Sequence, residues 1–216
     1  MFLVAAALTI LETIALQGPP HHVQGIDVEG ESLWVSSVDR QQKKGYLFKL
    51  NRPTGRIVNQ VDVQQGEKYH PGGLTLDGDN IWLPVAEYRR NSTAVIQLRD
   101  KRTLRLLRQF EVNDHIGCIA ASNNRLYGGN WDTRQIYESG TRYQDLKYIE
   151  NRLIGGGLRT KGRGAIDFLD PKSLNLTRRI ELETTDRGVV FTNEGMTLRA
   201  GASTSSPKTI PPASSS

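Results

Sequence analysis

His22-Val-Gln-Gly-Ile-Asp-Val28 is the first of three copies of one short pattern, which returns as His70-Pro-Gly-Gly-Leu-Thr-Leu76 and as His115-Ile-Gly-Cys-Ile-Ala-Ala121. The histidines are 48 and 45 residues apart, and eleven residues after each of them comes an apolar residue followed by an aromatic one: Leu33-Trp34, Ile81-Trp82 and Leu126-Tyr127. Repeats of this period are typical of propellers, solenoids and arrays, and short alternating strands favour the propeller. The repeated aromatic residues are predicted to pack between neighbouring blades.

Each full repeat predicts four short strands separated by turns rich in glycine, proline and aspartate. The first repeat has them at residues 25–28, 32–36, 45–50 and 56–63, and the second at 73–76, 80–84, 93–98 and 104–112. The third has only 118–121, 125–128 and 134–138, the fourth has 143–148, 151–154, 164–168 and 175–182, and a fifth opens at 192–198 without continuing. The sequence therefore predicts an all-β, β-propeller-like fold with about four four-stranded blades and the start of a fifth, in an incomplete ring.

A single domain is predicted over residues 1–198, because this length suits one hydrophobic core. Residues 199–216 are rich in serine, proline and alanine, which predicts a disordered tail. The apolar residues 1–9 resemble the core of a signal peptide, and this favours a secreted protein over a cytoplasmic one. Residues 8–16 also match the last strand of a blade, because 59–63 and 108–112 precede His70 and His115 in the same way.

Composition excludes several classes of protein. No stretch approaches the roughly 18 apolar residues that a transmembrane helix needs. Cys118 is the only cysteine, so there is no internal disulfide, and its place at a glycine position of the repeat predicts a small buried side chain. The net charge is +5 and basic residues crowd the segment from Arg99 to Arg108, but no aromatic platform is interleaved with them. We therefore predict no nucleic-acid partner.

Four stretches carry a resemblance to a known family: His70-Pro-Gly-Gly-Leu-Thr-Leu76, Ile81-Trp-Leu-Pro-Val-Ala-Glu-Tyr-Arg89, Asn113-Asp-His-Ile-Gly117 and Gly129-Asn-Trp131. They resemble uncharacterised β-propeller proteins of bacteria and fungi that often carry export signals. The resemblance covers residues 10–198 and implies the propeller fold. Members of that family continue into further blades, so the resemblance also implies that this chain is truncated.

One face of the predicted propeller gathers polar and aromatic side chains around the axis. In a four-stranded blade, the loops that enter the first strand and the loops that join the second to the third lie on the same face. A central pocket on this face is the default site for such a fold. Its candidate residues are His22, His70, His115, Asp145, Glu194, Glu87, Arg89 and Trp131.

The repeated histidines have two interpretations. Three neutral imidazoles can hold a divalent metal, with Asp145 or Glu194 as the base that activates water. A residue repeated in every blade is more simply a structural device, such as an imidazole that hydrogen-bonds the loop before the inner strand. We therefore predict no cofactor, with a divalent metal as the alternative.

The remaining candidates depart from the repeat, and function is often added to a scaffold at such positions. Glu87 and Arg89 suit either ligand binding or a local ion pair, and Trp131 suits stacking on a ligand. The leading hypothesis is a binding or scaffold module that holds a small molecule or a peptide in a polar axial pocket. The alternatives are a metal- or acid/base-dependent hydrolase or lyase and a truncated product without function. An oligomer is expected if a second chain completes the ring.

Overall fold

The computed structural model describes residues 13–122, 125–131, 142–158, 163–182, 184, 190 and 196–197. Within these ranges the regular structure is β-strand, and no helix there is long and apolar enough to cross a membrane. The strands are β1 (His22–Glu29), β2 (Ser32–Asp39), β3 (Lys44–Asn51), β4 (Arg56–Asp62), β5 (Lys68–Pro71), β6 (Thr75–Asp77), β7 (Asn80–Glu87), β8 (Ala94–Asp100), β9 (Leu106–Val112), β10 (Ile116–Ser122), β11 (Arg125–Asn130), β12 (Arg142–Ile149), β13 (Arg152–Leu158), β14 (Gly164–Leu169) and β15 (Leu176–Leu182).

These strands form four antiparallel sheets, one for each repeat. The first sheet has the order β1-β2-β3-β4 and the fourth has the order β12-β13-β14-β15. The second runs β5-β7-β8-β9, with β6 also paired to β7, and the described part of the third is β10-β11. Within each sheet, the strands of this order are paired with their neighbours in a meander, as in the blades of a propeller. The all-β, β-propeller-like fold is therefore confirmed.

The four sheets follow one another around a common axis. The first strand of each sheet is the innermost, because β6 and β10 contact each other, β10 contacts β12, and β1 contacts both β6 and β12. The strands farther along each sheet lie toward the outside. The first and fourth sheets are thus in contact at the axis. The second and third sheets, and the third and fourth, contact each other there in the same way.

The segment before β1 differs from its prediction. Residues 13–16 of the strand predicted at 8–16 are irregular, and residues 8–12 lie outside the described residues. Gln17 makes an isolated parallel bridge with Arg56 and donates its N–H to the Gly55 carbonyl at 2.8 Å. Among the described residues this segment has only that one bridge, and Gly18, with a φ of 109°, and two prolines without N–H groups end the pairing after it. The described part of that strand prediction is therefore wrong.

Other predicted segments lie outside the described residues. They are the strand at 134–138, the tail at 199–216, the signal segment at 1–9 and most of the fifth repeat, 192–198. Of that repeat, Met196 and Thr197 are described, and neither belongs to a strand.

The repeated aromatic residues pack between sheets as the sequence predicts. Trp34 is 2 % exposed and lies in a cluster with Leu74 and Leu83 of the second repeat. Trp82 packs with Ile116 and Ile119 of the third repeat. Tyr127 stacks on Tyr148 of the fourth repeat, with ring centroids 5.7 Å apart. Each of the first three repeats thus contributes an aromatic ring that buries apolar surface against the next repeat.

Gly25 and Gly73 allow the inner strands to approach each other backbone to backbone. A Cβ on Gly25 would lie 2.7 Å from the Gly73 Cα, and a Cβ on Gly73 would lie 2.6 Å from Asp145 Oδ1. Gly73 also donates its N–H to the Gly117 carbonyl at 2.9 Å and accepts a hydrogen bond from the Ile119 N–H at 3.1 Å. Because Gly73 pairs with the third sheet, the strand predicted at 73–76 is observed only from Thr75 onward, as β6, and the separate short strand β5 precedes it.

We expect Gly25→Ala to lower the free energy of unfolding by about 1–3 kcal/mol, as overpacking of a well-packed site does. Its Cβ would meet only backbone atoms of the second sheet, which cannot rotate away. Urea unfolding followed by circular dichroism measures this loss.

The matched control is Gly117→Ala. A Cβ on Gly117 has its nearest neighbour 3.5 Å away, at the Trp131 Cα, which is an ordinary contact. An equal loss of stability in the two variants would contradict the proposed role of Gly25.

Candidate functional site

Four ring side chains meet at one end of the axis, where inner strands of the second and third sheets begin. They are His70 in β5, Tyr88 just after β7, His115 just before β10 and Trp131 just after β11. The His70 ring centroid lies 4.4 Å from that of Tyr88, 5.4 Å from that of His115 and 5.2 Å from that of Trp131. We call these four residues the mouth cluster. The structure thus brings together three of the predicted pocket residues: His70, His115 and Trp131.

Gln24 connects His22 of the first repeat to His70 of the second repeat. His70 Nε2 lies 3.0 Å from Gln24 Oε1, and the Gln24 amide nitrogen donates to His22 Nδ1. Because an amide oxygen only accepts, His70 must carry its proton on Nε2. His22 is half-buried, and its pKa is lowered, first by burial and then by the positive charge of Arg40.

His115 is held by the loop between the second and third strands of the second sheet. Its Nδ1 lies 2.8 Å from the Arg89 carbonyl oxygen and 2.9 Å from Ser92 Oγ. Since a carbonyl can only accept, Nδ1 carries the proton and donates it there. The His115 ring also lies 4.6 Å from the Trp131 ring, centroid to centroid, and the residue is 1 % exposed.

His70 Nδ1 is buried and has no hydrogen-bond partner among the described residues. The whole residue is 6 % exposed. Burial is the largest cause, and the nearby His115, His22 and Arg40 act in the same direction, so that together they lower the pKa of His70 to about 3. His70 is therefore neutral at physiological pH, with a lone pair on Nδ1 that nothing in the described part of the chain satisfies.

A shallow cavity of about 420 Å³ lies beside the mouth cluster, on the side of the first sheet. His21, His22, Asp39 and Arg40 contribute to its walls. The guanidinium carbon of Arg40 lies 5.1 Å from the centre of the Tyr88 ring, so this cation forms part of the same surface.

Glu87 and Arg89 form a local ion pair. Arg89 Nε donates to Glu87 Oε2 at 2.6 Å, and the second carboxylate oxygen, Oε1, accepts from the Thr93 hydroxyl at 3.2 Å. The hydrogen bond from Arg89 lowers the pKa of Glu87. Of the two interpretations drawn from the sequence, the structure shows the ion pair. The candidate Glu194 lies outside the described residues.

Asp145 belongs to a separate buried cluster on the axis. Its Oδ1 lies 3.2 Å from Lys147 Nζ, and its Oδ2 accepts the Met196 N–H at 3.0 Å. Lys147 also lies 3.6 Å from Asp27 Oδ2 and donates to the Leu74 carbonyl. Burial raises the Asp145 pKa to about 7, although Lys147 opposes the shift. Both carboxylate oxygens are engaged, so Asp145 supports the joint between the fourth and first sheets instead of lining the mouth.

Asp27 and Lys147 were not among the residues predicted for a site. They occupy the same position of the repeat, two residues after Gly25 and Asp145, respectively. Opposite charges at equivalent positions of two repeats are the signal that could have indicated this cluster.

The repeated histidines are also the candidates for a three-histidine metal centre. In the described part of the chain, no group of three or more His, Cys, Asp or Glu side chains is arranged to hold a metal ion. The ring nitrogens His22 Nδ1, His70 Nε2 and His115 Nδ1 instead face a glutamine or a backbone carbonyl. Cys118 is fully buried, and burial raises the pKa of its thiol, so the predicted small buried side chain is confirmed.

A comparison with protein families matches residues 8–153 to a family of unknown function, DUF6454. The chain belongs to this family. The match includes the three repeated histidines, Gln24, Tyr88 and Trp131, and thus the whole mouth cluster. A comparison with curated proteins gives no match.

Solved structures with a similar fold are propeller proteins of low sequence identity. The Pan2 WD40 domain of Neurospora crassa has a TM-score of 0.49 at 10% identity, over 74% of this chain and 49% of that chain. A chain of the mitotic checkpoint complex has a TM-score of 0.49 at 12% identity, over 83% and 61%. Hydrazine synthase of Kuenenia stuttgartiensis has a TM-score of 0.48 at 15% identity, over 82% and 53%. The chain therefore spans about half to three fifths of the length of these chains.

The neutral state of His70 predicts a specific loss of stability in acid. An unfolded histidine has a pKa near 6.5, whereas folded His70 has a pKa of about 3. Below about pH 6.5 the unfolded chain therefore binds a proton that the folded chain does not. The free energy of unfolding then decreases as the pH is lowered. Relative to His70→Gln, the wild type should lose about 2 kcal/mol of unfolding free energy between about pH 7 and pH 5.

Urea unfolding of the two proteins at several pH values measures this difference. Other titrating groups, Asp145 among them, contribute equally to both proteins and cancel in the comparison. Parallel pH profiles for wild type and variant would show that folded His70 takes up its proton as the unfolded residue does.

Proposed function

We propose that this protein is a binding module that holds a small ligand at the mouth cluster. The observation that carries the proposal is the unsatisfied Nδ1 of His70, a neutral acceptor enclosed by three other rings. A buried polar atom without a partner costs about 1–3 kcal/mol, and such atoms in native proteins call for an explanation. A ligand that donates a hydrogen bond to Nδ1 supplies that explanation.

The surroundings of His70 define the class of ligand. The donor on the ligand is an O–H or N–H group, because Nδ1 carries only a lone pair. Tyr88, His115 and Trp131 offer ring faces and edges, which favour a ligand with a ring or another flat apolar surface. Arg40 adds a positive charge at the edge and favours an anionic group. We therefore propose a hydroxyl- or amino-substituted ring compound, free or as a side chain of a peptide.

Access to His70 requires one of the rings at the edge to move. Tyr88 and Trp131 are half-buried, whereas His70 and His115 are buried. Rotation of the Trp131 or Tyr88 side chain would expose Nδ1 while the two histidines stay in place. In this proposal the acceptor, His70 Nδ1, stays in place, and the side chains of Tyr88 and Trp131 move to admit the ligand.

Equilibrium dialysis against a defined mixture tests the proposal. The mixture contains amino acids, nucleosides, monosaccharides and hydroxylated aromatic acids, and mass spectrometry identifies the compounds that the protein retains. We expect wild type to retain at least one ring compound with a donor group. His70→Phe keeps a ring but removes the acceptor, and should bind that compound at least about tenfold more weakly.

Tyr148→Phe is the control, because it removes a polar ring atom far from the mouth, where the hydroxyl bonds Asn151. It should bind as the wild type does. Trp131→Leu removes one aromatic wall and provides a second test if His70→Phe does not fold. Retention that is the same in wild type, His70→Phe and Trp131→Leu would contradict the proposal, and so would the absence of any retained compound.

A further inference from the structure

A second cavity lies between the second and third sheets, at the end of β7 remote from the mouth. Its volume is about 630 Å³. Trp82 and Leu98 form its floor, Arg108 and Phe110 of β9 form one wall, and Leu126 of β11 contributes to the other. Asn80, the first residue of β7, also lines the cavity. Tyr88 of the mouth cluster directly follows the last residue of the same strand. At about 3.3 Å per residue the two sites are roughly 20 Å or more apart, so this cavity is independent of the mouth. We call it the side cleft.

The side cleft borders the largest concentration of exposed apolar side chains on the described residues. Phe110 is 45 % exposed and Leu126 is 37 % exposed, and both line the cleft. Leu106 and Leu107, at the start of the same strand β9, are 38 % and 42 % exposed. Contiguous exposed apolar surface of this kind is typical of an interaction site.

The side cleft also carries a net positive charge, because its described lining has two arginines and one aspartate. Arg108 places its guanidinium carbon 5.4 Å from the Trp82 ring centre, and Arg125 lines the cleft from the third sheet. Neither arginine has an ion pair with a carboxylate of the described residues. Asp77 is the acidic residue of the lining, and its Oδ2 accepts the Trp82 indole N–H at 3.1 Å. Two arginines thus face a cleft whose described lining supplies one carboxylate.

We propose that the side cleft binds an acidic, apolar peptide segment of a partner protein. Leucine or phenylalanine side chains of the partner would pack on Phe110 and Leu126. Aspartate or glutamate side chains beside them would pair with Arg108 and Arg125, which present the planar donors that carboxylates bind best. The positive charge of the cleft favours acidic residues in the partner. The exposed apolar surface of the cleft favours leucine or phenylalanine beside them.

The geometry favours a peptide over a nucleic acid. The Trp82 ring is 7 % exposed, with Arg108 over it and Phe110 against its edge at 6.5 Å between ring centroids. A base therefore has no open indole face on which to stack.

Selection of short random peptides from a displayed library on the immobilised full chain tests the proposal. We expect the enriched peptides to combine Asp or Glu with Leu or Phe. A fluorescein-labelled copy of an enriched peptide should bind Arg108→Glu and Arg125→Glu at least about tenfold more weakly than wild type, measured by fluorescence anisotropy. Phe110→Ser should weaken it as well, and it leaves the arginines in place.

Arg178→Glu is the matched control. Arg178 lies on the outer strand β15, with its guanidinium carbon 5.6 Å from the Phe168 ring centre. Its substitution makes the same charge change away from the cleft. It should bind the peptide as wild type does. Enrichment of neutral or basic peptides, no enrichment at all, or equal binding by wild type and the two cleft arginine variants would overturn the proposal.

Two further outcomes would assign the cleft to another occupant. Displacement of the labelled peptide by oligo(dT), with oligo(dT) binding lost in Arg108→Glu, would indicate a nucleic acid. A wild-type dimer in light scattering that becomes a monomer in Phe110→Ser would indicate a second copy of this chain. Either result would overturn the proposal of a peptide from a partner protein.

Discussion

The close approach of the inner strands at the axis determines the rest of this structure. Gly25 and Gly73 bring the backbones of the first three repeats within contact distance, and no side chain larger than hydrogen fits at either position. Each repeated histidine stands three residues before this contact point, at His22, His70 and His115. When the contact points converge, the imidazoles must converge as well. The mouth cluster is therefore a geometric consequence of how the blades pack.

The fourth repeat meets the first by charge instead of by glycine contact. Asp145 stands where the first two repeats have glycine, and its carboxylate fills the space beside Gly73. Lys147 then bridges Asp145 and Asp27 across the axis. Thr197 donates to Asp27 and the Met196 N–H to Asp145, so the beginning of the fifth repeat is attached to the same carboxylates. Removing one partner of a buried ionic group of this kind leaves an uncompensated charge and is strongly destabilising.

The sequence predicted the blades well because the repeat combines two independent signals, a strand pattern and an aromatic residue that packs on the next blade. It did not predict that β5 and β6 would be separate short strands, because the hydrogen bonds of Gly73 to the third sheet are tertiary. It placed the histidines on one face but left their role open, since hydrogen bonds to Gln24 and to the Arg89 carbonyl depend on rotamers. The side cleft was missed for a related reason, because exposure of Phe110 depends on what faces β9 in space.

The protonation state of His70 is the most direct test of this account. Nitrogen chemical shifts of the histidine rings in a uniformly ¹⁵N-labelled sample report which ring nitrogen carries the proton. We expect His70 to show a proton on Nε2 and a bare Nδ1 from neutral pH to the acid limit of the folded state, because burial holds its pKa at about 3. A His70 ring with protons on both nitrogens near neutral pH, or with its proton on Nδ1, would contradict the account and remove the acceptor on which the proposed binding site depends.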